Sequence, residues 1–91
     1  MELKIIAKRD DFIELEVVGE DPSILDSLAE ILQGIDGVEY AGAVIEHPLT
    51  MKNILRVKTN IEKINAKDAL IKAVDELLNF VNMIYEKINQ I

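Results

Sequence analysis

The chain has 91 residues, 49% of them hydrophobic and only 4% aromatic, a composition that predicts one small folded domain over residues 1–91. The formal net charge of -7 argues against nucleic-acid binding by the chain alone, because such binding depends on neutralising phosphates. The absence of cysteine excludes disulfides, thiolate zinc sites and thiol catalysis, and no apolar run is long enough for a signal peptide or a membrane span. We therefore expect a cytoplasmic protein that does not bind membranes.

The N-terminal part predicts a β-hairpin. Residues 2–8 and residues 13–17 largely alternate apolar and charged side chains, and a polar turn at residues 9–11 joins them. A period of two is typical of strands with one buried face, and a short polar connection makes them neighbours.

A short helix is predicted next. Asp21 suits its N-cap and Pro22 its first position, where a missing N–H costs nothing. Gly34 is expected to end the helix with a positive φ. The predicted apolar face consists of Ile24, Leu25, Leu28, Ile31 and Leu32.

Residues 38–46 and 52–60 predict a third and a fourth strand, separated by the break at His47-Pro48-Leu49-Thr50. Gly42 inside the third strand indicates a bulge or a close backbone approach. The order ββαββα predicts an α+β fold, a four-stranded antiparallel sheet with two helices on one face.

The last third of the chain predicts a helix over residues 67–91, which would be roughly 37 Å long, whereas four strands side by side span about 19 Å. Its first half, Leu70 to Leu77, should pack on the sheet and the first helix, and its second half, from Val81, should pack on a partner chain. The apolar seam recurs at steps of three and four residues: Leu70, Val74, Leu77, Val81, Ile84, Ile88 and Ile91. The predicted partner interface comprises Ile24, Leu28, Leu77, Val81, Ile84, Tyr85, Ile88 and Ile91.

Candidate chemical groups are few. His47, the only histidine, lies beside a carboxylate and is a possible general base, although a strand-ending or interface residue is the favoured interpretation. Glu14 and Glu16 share one strand face, which we expect to be solvated and paired with Lys4 and Lys8.

The basic side chains of the fourth strand predict a solvated strip rather than a nucleic-acid platform, because no aromatic residues are interleaved with them. The sequence thus predicts no catalytic residue, no cofactor and no metal.

Several segments, in this order and spacing, resemble the subunit L family of archaeal DNA-directed RNA polymerases, which are small alpha-like subunits. They are Gly19–Asp21 at the entry to the first helix, Val38–Gly42 followed by His47–Leu49, Ile54–Thr59 in the fourth strand, and Asp68–Leu70 with Ala73 at the start of the last helix.

The resemblance implies a heterodimer with the D-type subunit of the RNA polymerase, formed through helices packed across the dimer, that serves as the assembly platform for the large catalytic subunits. It also implies a chain without an active site, nucleotide site or metal of its own. Two alternatives stay open on the residues alone: a small regulatory or ligand-binding α/β homodimer, and an enzyme that uses His47.

Overall fold

The computed structural model describes residues 2–19, 22–47 and 52–91. The predicted N-cap Asp21 and residues 48–50 of the predicted break lie outside this part of the chain. In chain order, the elements are β1 (Glu2–Arg9), β2 (Phe12–Val18), α1 (Pro22–Gln33), β3 (Val38–His47), β4 (Lys52–Thr59) and α2 (Ala66–Asn89). The predicted ββαββα order and the α+β class are confirmed.

The four strands form one antiparallel sheet in the order β1-β2-β4-β3. The two inner strands pair without interruption, whereas both edge strands carry irregularities. In β1, the register shifts between Ile5 and Ala7, so that Ala7 lies opposite Glu14 and Lys8 lies opposite Ile13. The assignment of later side chains to faces by alternation is therefore wrong beyond Ile5, because a bulge moves these side chains to the other face.

The core lies between one face of the sheet and the two helices. Apolar residues at alternate positions of β2 and β4 face the helices, as a strand with one buried face requires. The buried residues of the main cluster are Val17, Leu25, Ala29, Leu32, Ile35, Ala41, Leu55, Val57, Ala69 and Ala73.

The alanine face of α2 packs against the sheet. Ala66, Ala69 and Ala73 have no exposed surface, whereas Leu70 is half-buried and Val74 is 38% exposed. The expectation that the Leu70–Leu77 seam makes the internal contact is thus only partly right. The small alanine side chains let the helix lie close to the sheet. The larger seam residues therefore lie at the edge of the contact and not at its centre.

The α1–β3 connection differs from the prediction. Gly34 does not adopt a positive φ, and the helix ends instead in tighter turns, in which the N–H groups of Gly34 and Ile35 donate to carbonyls three residues earlier at 3.0 Å. The positive φ, 95°, belongs to Gly37. A Cβ added at Gly37 would lie 2.8 Å from Lys63 Cβ, so this position has no room for a side chain.

Gly42 lies in regular register opposite Arg56 and is not a bulge. The Tyr40 ring covers it, since an added Cβ would lie 2.6 Å from Tyr40 Oη. The close approach is therefore made by a side chain and not by a neighbouring backbone.

Candidate partner interface

An open groove, here called the aliphatic groove, runs between α1, α2 and the β1–β2 side of the sheet. Its volume is about 370 Å³. Every residue that lines it in the described part of the chain is Leu, Ile or Val: Leu3, Leu15, Val17, Ile24, Leu25, Leu28, Leu55, Leu70, Val74, Leu77 and Leu78. Such a surface offers no hydrogen bond to a ligand and can only be covered by other apolar groups.

The groove is open because two helices do not cover four strands. α1 packs mainly on β3, and α2 packs on β4 and β2, so the helix-facing side chains of β1 remain uncovered. Leu3 and Ile5 are 60% and 59% exposed on this face. They lie opposite Val17 and Leu15 of β2, which places them beside the groove in one continuous apolar surface.

The C-terminal end of α2, residues 78–91, projects beyond the core. Ala73 is its last fully buried residue, and every residue from Leu78 onward is exposed. The side of this end that continues the alanine face forms a second, shallower apolar hollow of about 290 Å³, lined by Phe80, Met83, Ile84, Lys87, Ile88 and Ile91.

The structure divides the predicted interface residues between these two surfaces. Ile24, Leu28 and Leu77 line the aliphatic groove, and Ile84, Ile88 and Ile91 line the hollow at the end of α2. The other two, Val81 and Tyr85, lie exposed on the same projecting part of the helix. As interface residues, all eight remain a prediction.

The sequence-based prediction missed the β1 and inner α2 parts of the surface, namely Leu3, Ile5, Val74 and Leu78. For Val74 and Leu78, the apolar residues that recur at steps of three and four along α2 could have indicated their place on this surface. In the sequence, Leu3 and Ile5 have the pattern of ordinary residues on a buried strand face. Only the position of α2 on the sheet shows that no described residue covers them.

The opposite face of the sheet is occupied by ion pairs. Arg56 Nε lies 2.7 Å from Glu14 Oε2, and Lys52 Nζ lies 3.9 Å from Glu16 Oε1. Glu14 and Glu16 do lie on one face, but their ion-pair partners come from β4 and not from β1 as expected. The bulge puts Ala7 instead of Lys8 opposite Glu14, and Lys4 lies opposite Glu16 without an ion pair within 4 Å.

Lys58 completes the pattern on β4. Its Nζ lies 3.2 Å from Asp11 Oδ2 and 4.0 Å from Glu39 Oε1. All three basic residues of β4 therefore have acidic partners. A strip neutralised in this way is poorly suited to bind phosphates.

The hydrogen bond from Lys58 is the main cause that lowers the pKa of the Asp11 carboxyl below its ordinary value. Partial desolvation acts in the opposite direction, and the charges of Lys58 and Arg9 lower the pKa further. Asp11 is a surface group at the hairpin turn, so this shift reflects an ion pair rather than a reactive site.

His47 is the last residue of β3 and pairs in register with Lys52, but its side chain lies outside what the structure describes. The described residues contain no group of three or more histidine, aspartate or glutamate side chains able to hold a metal ion. Within the described ranges, no helix has both the length and the apolar character needed to cross a bilayer.

Comparison with known proteins gives consistent results. A family model described as the RNA polymerase Rpb3/Rpb11 dimerisation domain matches residues 13–87. The match therefore includes every element that forms the groove except β1.

Two archaeal proteins illustrate the similarity along the whole chain. The DNA-directed RNA polymerase subunit Rpo11 of Sulfolobus acidocaldarius is 31% identical over 91 residues, which is 100% of both chains. The subunit Rpo11 of Nanoarchaeum equitans is 37% identical over 96% of this chain and 94% of its own length.

Among solved structures, the crystal structure of DNA-directed RNA polymerase subunit L from Thermoplasma acidophilum superposes with a TM-score of 0.84. The superposition covers 98% of this chain and 86% of that chain at 22% identity. It shows that the two chains share the same fold, including the long C-terminal helix.

Proposed function

We propose that this chain, which belongs to the RNA polymerase Rpb3/Rpb11 dimerisation-domain family, is a non-catalytic subunit of a DNA-directed RNA polymerase that forms a heterodimer with the D-type polymerase subunit. Residues 1–91 act together as one alpha-like dimerisation domain. The heterodimer is the platform on which the large catalytic subunits assemble during transcription. Since the similar proteins are archaeal and archaeal cells lack a nucleus, the complex is assigned to the cytoplasm.

The observation that carries the proposal is the unshielded apolar surface formed by the aliphatic groove and the end of α2. Contiguous apolar surface of this kind is rare on small proteins that act alone and marks a protein interface. Burial of the surface that Val81, Ile84, Ile88 and Ile91 still expose would contribute on the order of 4–8 kcal/mol before the costs of association are subtracted, since the first three are already about half-buried.

The proposed interface residues are the eight predicted from the sequence, together with the β1 side chains that flank the groove. The two surfaces lie on different parts of the chain, and in this proposal a single partner contacts both. A projecting helix with an open groove at its base suits a reciprocal arrangement, in which each chain lays a helix on the other.

The character of the groove weighs against the ligand-binding alternative. Small-molecule sites combine an apolar wall with a few precisely placed polar groups that orient the ligand. The described lining of the aliphatic groove has no polar side chain. Apolar side chains of a protein partner can fill such a groove, whereas its own lining offers a small ligand no polar side chain for orientation.

The direct test is to mix the purified chain with the D-type subunit and to measure the molar mass by analytical ultracentrifugation. The proposal expects a stable complex with one copy of each chain, and polymerase reconstitution that requires both. Two folded proteins that sediment separately, or a large-subunit complex that assembles equally well without this chain, would overturn it.

A further inference from the structure

One end of the aliphatic groove opens into a smaller cavity of about 330 Å³ beside β1 and the start of α2. The cavity shares Leu3, Leu15 and Leu70 with the groove, so the two form one continuous apolar surface. Its lining also includes two lysines, Lys8 and Lys67, in a surface that is otherwise aliphatic.

Each lysine has a structural reason for its place. The bulge in β1 puts Lys8 opposite Ile13, on the helix-facing side of the sheet, and away from the ion pairs on the other side. Lys67 lies in the first turn of α2, directly after the buried Ala66. The bulge and the helix start thus bring two positive charges to the same end of the groove.

These charges have no acidic partner in the described part of the chain. The ion pairs found there involve other cations, namely Arg9, Lys52, Arg56, Lys58 and Lys63. In a chain with a net charge of -7, Lys8 and Lys67 thus line an apolar cavity and form no ion pair within 4 Å among the described residues. A partner covering the cavity would bring them into a less polar environment, where an opposite charge is favoured strongly.

We propose that Lys8 and Lys67 form a basic rim that receives a carboxylate of the partner chain, carried by the same segment whose apolar side chains fill the groove. The inference rests on the proposed function and specifies the chemistry of the partner. The occupant is an apolar segment of the D-type subunit with an aspartate or glutamate at the end that reaches β1. Since most of this chain repels acidic groups, the basic rim fixes the direction in which the segment lies.

The test compares two double variants that change the net charge equally. Lys8→Glu with Lys67→Glu reverses the basic rim. The control, Lys4→Glu with Lys72→Glu, reverses two exposed lysines that line neither the groove nor the cavity. Binding to the D-type subunit is measured by surface plasmon resonance at several salt concentrations, and folding is checked by far-UV circular dichroism.

The rim variant is expected to bind about tenfold more weakly at low salt than the control variant, because the reversed charges slow association and leave the partner's carboxylate without an opposite charge in the complex. The neutral pair Lys8→Gln with Lys67→Gln should bind with a shallower salt dependence than the unsubstituted chain, which provides a second readout if charge reversal impairs folding.

Equal affinity of the rim and control variants, with an unchanged salt dependence in the neutral pair, would overturn this inference alone. Failure of the unsubstituted, folded chain to bind the D-type subunit would instead overturn the proposed function, and the inference with it.

Discussion

Two glycines in this chain are constrained for different reasons. Gly37 combines a φ of 95° with a Cβ position that is already filled by Lys63 and Ile64. Gly42 has an ordinary φ, and only the end of the Tyr40 side chain lies where its Cβ would be. At Gly37 a positive φ is combined with close atoms at the base of two side chains, whereas at Gly42 only the far end of a flexible side chain is close, so the two substitutions should have different costs.

We therefore expect Gly37→Ala to lower the free energy of unfolding by about 1–3 kcal/mol, since alanine at positive φ is strained and the neighbouring chain must shift. Gly42→Ala should cost clearly less, because the Tyr40 ring can rotate away. Urea denaturation of the two variants measures the difference. A loss at Gly42 as large as that at Gly37 would show that the Tyr40 contact is structurally essential.

The Asp11–Lys58 pair makes a prediction about pH. The folded-state pKa of Asp11 is lowered, mainly by the hydrogen bond from Lys58, so the pair stabilises the fold above the ordinary pKa of an aspartate. This contribution is lost as the pH falls through the lowered pKa. In an NMR pH titration, Lys58→Met should raise the pKa of Asp11 toward its ordinary value. A titration curve for Asp11 that is the same in the variant would assign the shift to another cause.

At the scale of elements, α2 carries two apolar faces with different tasks. Its alanine face allows the helix to lie close to the sheet, while the larger residues of the seam remain available to a partner. A substitution that enlarges the alanine face should therefore impair folding, whereas one that trims the projecting end should not.

Ala73→Leu tests this division. Ala73 has no exposed surface, so the added atoms must push the helix away from the sheet, at an expected cost of about 1–3 kcal/mol. Val81→Ala is the control, since Val81 is 51% exposed and its truncation should change stability by less than about 0.5 kcal/mol. Thermal denaturation of the free chain distinguishes the two. If Ala73→Leu melts at the temperature of the unsubstituted chain, the close contact is not part of the fold.

The elements were predictable because each leaves a local signal. Alternation predicted the strands, and steps of three and four residues predicted both helices. The phase of α2 was less predictable, because helical periodicity identifies an apolar seam but not which side of it packs internally. That choice depends on how near two elements can approach, and in this fold Ala69 and Ala73 decide it.

Local deviations from ideal elements were not predictable. The bulge after Ile5 moves Lys8 to the other face of the sheet, and its only trace in the sequence is Ile6, an apolar residue where the alternation expects a polar one. The positive φ at Gly37 rather than Gly34 depends on how the connection packs against residues 63 and 64. The second feature is set by a contact between segments that lie apart in the chain.

At the scale of the whole molecule, the helix layer covers only part of the sheet. Four strands present one apolar face, and two helices cover β2, β3 and β4 but leave β1 open. The edge strands β1 and β3 carry the register shifts, and the inner pair has none. Bulged edges disfavour extension of the sheet by another strand, so association should occur through the helix-facing side.

The sequence predicted the far end of this surface and three residues of the groove, Ile24, Leu28 and Leu77, but missed its β1 side. The residues from Val81 to Ile91 could be identified because their apolar period extends beyond any sheet that a chain of this size can form. The exposure of Leu3 and Ile5 could not be identified, since it follows from where α2 lies across the sheet.

The projecting end of α2 is proposed to bind the D-type subunit rather than to act as an ordinary core helix. The most direct measurement is the affinity of Ile84→Asp for that subunit, with Ile61→Asp as the matched control. Both are exposed isoleucines, at 45% and 52%, but Ile61 lies in the β4–α2 connection and lines neither apolar surface. A charge at Ile84 would be buried without a partner in the complex and is strongly unfavourable there.

Isothermal titration calorimetry should therefore detect no binding of Ile84→Asp, while Ile61→Asp binds as the unsubstituted chain does and both variants keep the far-UV signal of the fold. Binding of Ile84→Asp with unchanged affinity would contradict a role of the helix end in dimerisation.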